Sequence, residues 1–181
     1  MSETTDLLTE LAAARAALRR TVQGLTDEQA AATPTASELC LGGLIKHVAA
    51  IEDQWLRFVV DGPSAMSFAL PEGVTWADIA AGTAREFPQW MIEHRNNFRL
   101  LPGETLAGIL ARYEEVAATT TKIVTDLDDL SATQPLPVAP WLEAGAEQSA
   151  RRVIMHVIAE TAQHAGHADI LRESLDGQKS S

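Results

Sequence analysis

Four long stretches of this chain carry apolar residues at three- and four-residue steps, and that periodicity restricts the fold more than any other feature. Leu7 to Leu25 is the first. It is rich in the strong helix formers Ala, Leu and Arg, with Leu7, Leu8, Leu11, Ala14, Leu18 and Val22 along one stripe. The second is expected to begin after Ser37 and to run to about Val60, where Asp61-Gly62-Pro63 stops it. Its wide apolar face holds Leu41, Leu44, Ile45, Val48, Ile51, Trp55, Leu56 and Val59. Glu104 to Leu127 is the third, striped by Leu106, Ile109, Leu110, Tyr113, Val116 and Ile123. The last, about Glu147 to Leu175, is long, and Gly177 is well placed to end it. No segment shows convincing strand alternation, and no internal repeat stands out. The reading is an all-α chain, its four long helices packed as an antiparallel-type bundle.

The connections differ in length. Thr26 and Gln29 have the spacing of a capping box, which predicts a short helical turn, and Ala31 to Ser37 with Pro34 reads as a loop. Ser64 to Gly103 holds two helix-like patches, Trp76 to Thr83 and Glu86 to Phe98, between prolines. It is read as a long helical connection between the second and third long helices, so residues 1–181 form one domain. Ser131 to Gly145 is a Pro-rich loop from which Trp141 is expected to reach the core or the rim of a pocket. Gly42 and Gly43 either weaken the start of the second helix or let a neighbour come close.

Charge narrows the partners. With 14 basic and 25 acidic residues the net charge is −11, which repels phosphate backbones and anionic lipid. There is no basic stripe with interleaved aromatics, so nucleic acid is excluded as a partner at this point. No apolar run approaches the roughly 20 residues that span a bilayer, which leaves no membrane partner. Nothing near Met1 resembles a signal peptide, and a cytoplasmic protein is expected. Cys40 is the one cysteine, so it has no partner for a disulfide and cannot build a thiolate zinc site. It is read as a small buried hydrophobe. A metal here would have to be held by imidazole and carboxylate.

Of five histidines, His156, His164 and His167 fall in the last helical stretch. At about 100° per residue, positions 156, 160, 164 and 167 share an arc of roughly 80°, so Glu160 joins them on one face. Glu160 and His164 stand one turn apart and can address a single cation. His47, on the apolar face of the second helix, offers a third donor, and three protein ligands with open positions describe a catalytic site more than a structural one. Spacing alone leaves the plainer alternatives open. His47 could be a satisfied core residue, and Glu160 with His164 a solvated pair. His156 could be a core histidine bonded to a carbonyl. His94 is read as surface, Arg151, Arg152 and Arg172 as solvent-facing, and the four tryptophans as packing.

The stretch from His156 to Gly177, HVIAETAQHAGHADILRESLDG, resembles the C-terminal helix of the DinB-like superfamily. Leu44 to Trp55, LIKHVAAIEDQW, resembles the segment that gives that superfamily its first histidine. More narrowly, the chain is similar to actinobacterial mini-circle protein relatives and to the N-terminal domains of mycothiol-dependent maleylpyruvate isomerases. The resemblance implies a DinB-like four-helix bundle with a divalent metal on His47, Glu160 and His164, zinc fitting the donors and nickel, manganese or iron being able to replace it. Many relatives have histidine at the position of Glu160, and many have glutamine at that of His167. The implied activity is transfer or isomerisation assisted by a low-molecular-weight thiol such as mycothiol, with an electrophilic substrate. A metal-dependent hydrolase and a non-catalytic metal-binding stress-response protein stand as alternatives. A homodimer is what the resemblance implies for assembly.

Overall fold

A computed structural model describes residues 2–179. The long helices are α1 (Glu3–Arg20), α3 (Leu41–Asp61), α6 (Leu106–Asp126) and α7 (Ala150–Asp176), and the short ones are α2 (Asp27–Ala31), α4 (Trp76–Ala81) and α5 (Gln89–Asn96). Each long helix opens on a side chain that accepts from the backbone N–H three residues on: Ser2 from Thr5, Cys40 from Gly43, Thr105 from Gly108 and Ser149 from Arg152. Cys40 is thus a cap as well as a buried side chain. The expected capping box at Thr26 and Gln29 is present at the start of α2. At the far end of α7, Gly177 takes φ 78°, the left-handed turn that closes a helix.

Two core clusters set the helix directions. One joins Leu18, Leu44, Ile109 and Leu171; the other joins Leu11, Leu56, Val124 and Ile154. Going from the first cluster to the second, α3 and α6 run forward while α1 and α7 run backward. The bundle therefore consists of two parallel pairs set against each other, and does not alternate throughout. Running α6 parallel to α3 requires the chain to return along the bundle, which is what residues 62–105 do. This connection begins with a 3-10 turn, Gly62–Ala65, and neither α4 nor α5 buries a residue.

Three readings are corrected. The last helix begins at Ala150, not Glu147, because β2 (Glu147–Ser149) pairs antiparallel with β1 (Thr133–Pro135). A ribbon of three residues a side is too short to show alternation. Arg172 is not solvent-facing but 5% exposed, and it donates to the carbonyls of Thr21 and Gln23 where α1 ends. Its place follows from the parallel run of α1 and α7, which brings both helix ends together. Arg15 is buried as well, paired with the buried Glu52, which also accepts from the Thr120 hydroxyl at 2.6 Å. Trp141 lies 55% exposed, its ring among Phe68, Trp76 and Trp90.

Candidate metal centre

The site forms where α3 crosses α7, between the bundle and the end of α5. Gly42 and Gly43 make it possible. A Cβ on Gly43 would lie 2.1 Å from the Phe98 carbonyl oxygen, and one on Gly42 would lie 2.1 Å from Leu100 Cδ1. Their second reading, close approach by a neighbour, is the one observed. The backbone after α5 thus lies directly against α3. From there the Phe98 ring stacks on the His47 imidazole, centroids 4.0 Å apart and planes 24° from parallel.

His47 is 4% exposed, while Glu160 and His164 are half-buried. Their donor atoms all lie within 4.8 Å of one another. His164 Nε2 is 3.5 Å from Glu160 Oε2, and the His47 and His164 rings meet edge to face at 4.8 Å. Burial pushes His47 down to about 3, with smaller contributions from His164 and His94. Burial also lowers His164, opposed by Glu160. Both effects favour the neutral imidazole, the form that offers a lone pair. His47 Nδ1 is buried with no hydrogen-bond partner among the described residues. An orphaned nitrogen on a neutral ring beside a carboxylate is a donor set that a borderline divalent cation fits.

His156 and His167 stand outside this cluster. His156 packs edge-on against Trp55 at 5.1 Å, and His167 Nδ1 faces His164 Nδ1 at 3.4 Å, on the side away from Glu160. His94 is exposed, as read from the sequence, yet its ring stands 5.5 Å from that of His47. Neither His94 nor Phe98 was recognisable as part of the site. The one signal was the glycine pair, which announces a close neighbour without naming it.

The family model that matches this chain is that of mycothiol S-transferase (MST), over residues 6–177. The chain belongs to the MST family. It is thereby a DinB-like protein, as the terminal-helix motif implied. No curated protein matches it. Among solved structures, the conserved protein of locus from Enterococcus faecalis superposes with TM-score 0.62 at 14% identity, covering 98% of this chain and 99% of that one. The colibactin self-resistance protein ClbS in complex with a dsDNA superposes with TM-score 0.57 at 12% identity, covering 96% and 97%. At these identities the likeness is one of fold.

The ClbS complex overturns the exclusion of nucleic acid drawn above from charge. A net charge of −11 is a sum over the whole chain, and a sum does not fix the sign of each face. Among the described residues of this MST-family chain, no helix is long and apolar enough to cross a membrane.

Proposed function

We propose that this chain is a metal-dependent thiol S-transferase, in which His47, Glu160 and His164 hold a divalent cation and mycothiol or a related low-molecular-weight thiol supplies the sulfur. The observation that carries the reading is the convergence of these three donors, from two helices, within 4.8 Å in a chain of the MST family. Zinc suits two imidazoles and a carboxylate. When bound, it would supply Lewis acidity that holds the thiol as thiolate at neutral pH.

The chain's own residues do the rest. Phe98, whose own backbone is seated against Gly43, stacks on the His47 ring and covers one side of it. Glu160 brings the negative charge that partly balances the cation and stands against His164. In the transfer, the sulfur forms a bond to the electrophilic carbon as that carbon's bond to its leaving group breaks. The leaving group departs with the electron pair, and the thiol proton passes to solvent. The family model spans residues 6–177 in one run, which supports one domain throughout. His156 and His167 lie outside the cluster, which speaks against a closed four-ligand staple.

Elemental analysis of gently purified protein, followed by thiol titration in the calorimeter, tests the reading. About one metal per chain and saturable mycothiol binding that chelation removes are expected. His47→Ala and His164→Ala should each lose tight metal binding; wild-type affinity in either would sink the ligand assignment. A second reading, contact with duplex nucleic acid, rests on Arg85, Arg95 and Arg99, which form no ion pair among the described residues. Fluorescence anisotropy with a labelled duplex at low and moderate salt tests it, since phosphate contact weakens steeply with salt.

A further inference from the structure

The face of α3 that carries His47 continues into a cavity of about 510 Å³, bounded on that helix by Ala50, Gln54 and Trp55. Much of the rest of its lining is aromatic. Phe68 follows the 3-10 turn, Trp90 lies at the start of α5 and Trp141 belongs to the α6–α7 loop, so three separate segments bring their rings together. Phe68 meets Trp90 at 5.2 Å and Trp141 at 5.2 Å, in both cases edge to face, and the two indoles are 6.1 Å apart. Trp90 is held in place by its Nε1–H, which donates to the Ala69 carbonyl at 3.2 Å. Trp141 remains 55% exposed. Trp76 packs on the same two indoles, 5.1 Å from Trp141 and 6.2 Å from Trp90, and the indole surface that Trp141 still exposes is available to a further flat ring.

Two further observations narrow the occupant. The volume falls in the range of about 300 to 1,000 Å³ typical of small-molecule sites. Arg57, the arginine on the rim, is taken up by Asp53 at 2.8 Å, and the Glu93 carboxylate also lines the cavity, so the charged groups there select against an anion. His94 also lines the cavity, and its ring stands 5.5 Å from that of His47. A molecule lying in the cavity would thus sit at the edge of the three-donor cluster.

We infer that this cavity binds the electrophile, and that the electrophile is a planar aromatic molecule without negative charge. The inference rests on the transferase reading above and names the substrate class of the same site. The thiolate sulfur bonds to a ring carbon, the bond from that carbon to its leaving group breaks, the leaving group takes the electron pair, and the thiol proton goes to solvent.

Calorimetric titration of dinitrobenzene, a flat ring with no leaving group, into the protein with and without zinc separates binding from transfer. Saturable one-site binding is expected in both conditions. Trp141→Ala should weaken it roughly fivefold, and Phe68→Ala, the second variant, by a similar factor, as loss of one aromatic contact implies. Phe87→Ala, a half-exposed ring outside the cavity, should leave it unchanged. The anion dinitrobenzoate should bind more weakly than the neutral ring. Absence of saturable binding, or parental affinity in both Trp141→Ala and Phe68→Ala, overturns the inference. Dinitrobenzene binding without thiol-dependent consumption of chlorodinitrobenzene keeps the aromatic site and removes the transfer. Consumption of an aliphatic electrophile without dinitrobenzene binding keeps the transfer and overturns the aromatic site.

Discussion

His47 is buried, neutral and stacked on Phe98, and all three properties follow from its position where α3 passes under the backbone after α5. Neutrality has a measurable cost in acid. The folded value of about 3 lies below the ordinary 6.5, so between these two values the unfolded chain binds a proton that the folded chain refuses. Stability of the metal-free protein should therefore be full above about pH 6.5 and decline as pH falls through that window. Denaturant titrations at neutral and mildly acidic pH check the sign, and His47→Gln, which lacks the titrating ring, should show a smaller decline. The site was partly legible at this scale. Glu160 and His164 share a helix face that spacing alone reveals, whereas the contact of His94 and Phe98 with His47 depends on how a non-periodic segment docks.

At the scale of elements, the stripes of α1, α3, α6 and α7 could be read because each buries a continuous face. Stripes show which side of a helix is covered but not which way its neighbour runs, so the parallel pairing was not legible. Buried charges were missed for a related reason. Arg15 and Arg172 look like surface residues until a partner from another helix is placed beside them. The Arg15–Glu52 pair ties α1 to α3, and Thr120 adds α6. Glu52→Ala should destabilise the bundle by about 3 to 5 kcal/mol, because it strands a buried guanidinium. Replacing both partners with apolar residues should recover most of that loss in the same denaturant melts. The glycines offer a paired test. Gly43→Ala, which drives a methyl into the Phe98 carbonyl, should destabilise by about 1 to 3 kcal/mol. Gly166→Ala, which meets nothing within 4 Å on the exposed side of α7, should stabilise slightly.

For the molecule as a whole, the site combines one firmly held wall with one lightly held cover. Each long helix is buried along a full face, whereas α4 and α5 bury no residue. Hydrogen exchange followed by mass spectrometry should show the amides of α4 and α5 exchanging far faster than those of α3 and α7. Equal protection would mean that the connection is part of the cooperative core. The parallel run of α1 and α7 has a mechanical consequence. Arg151 at the start of α7 pairs with Glu3 at the start of α1, and Arg172 near the end of α7 meets the carbonyl of Thr21 where α1 ends. Pulling on residues near Glu3 and Gln178 would therefore draw the two helices in opposite senses along their shared seam. Their side chains would have to slide past one another together, so the load falls on the whole seam at once and does not peel it from one end.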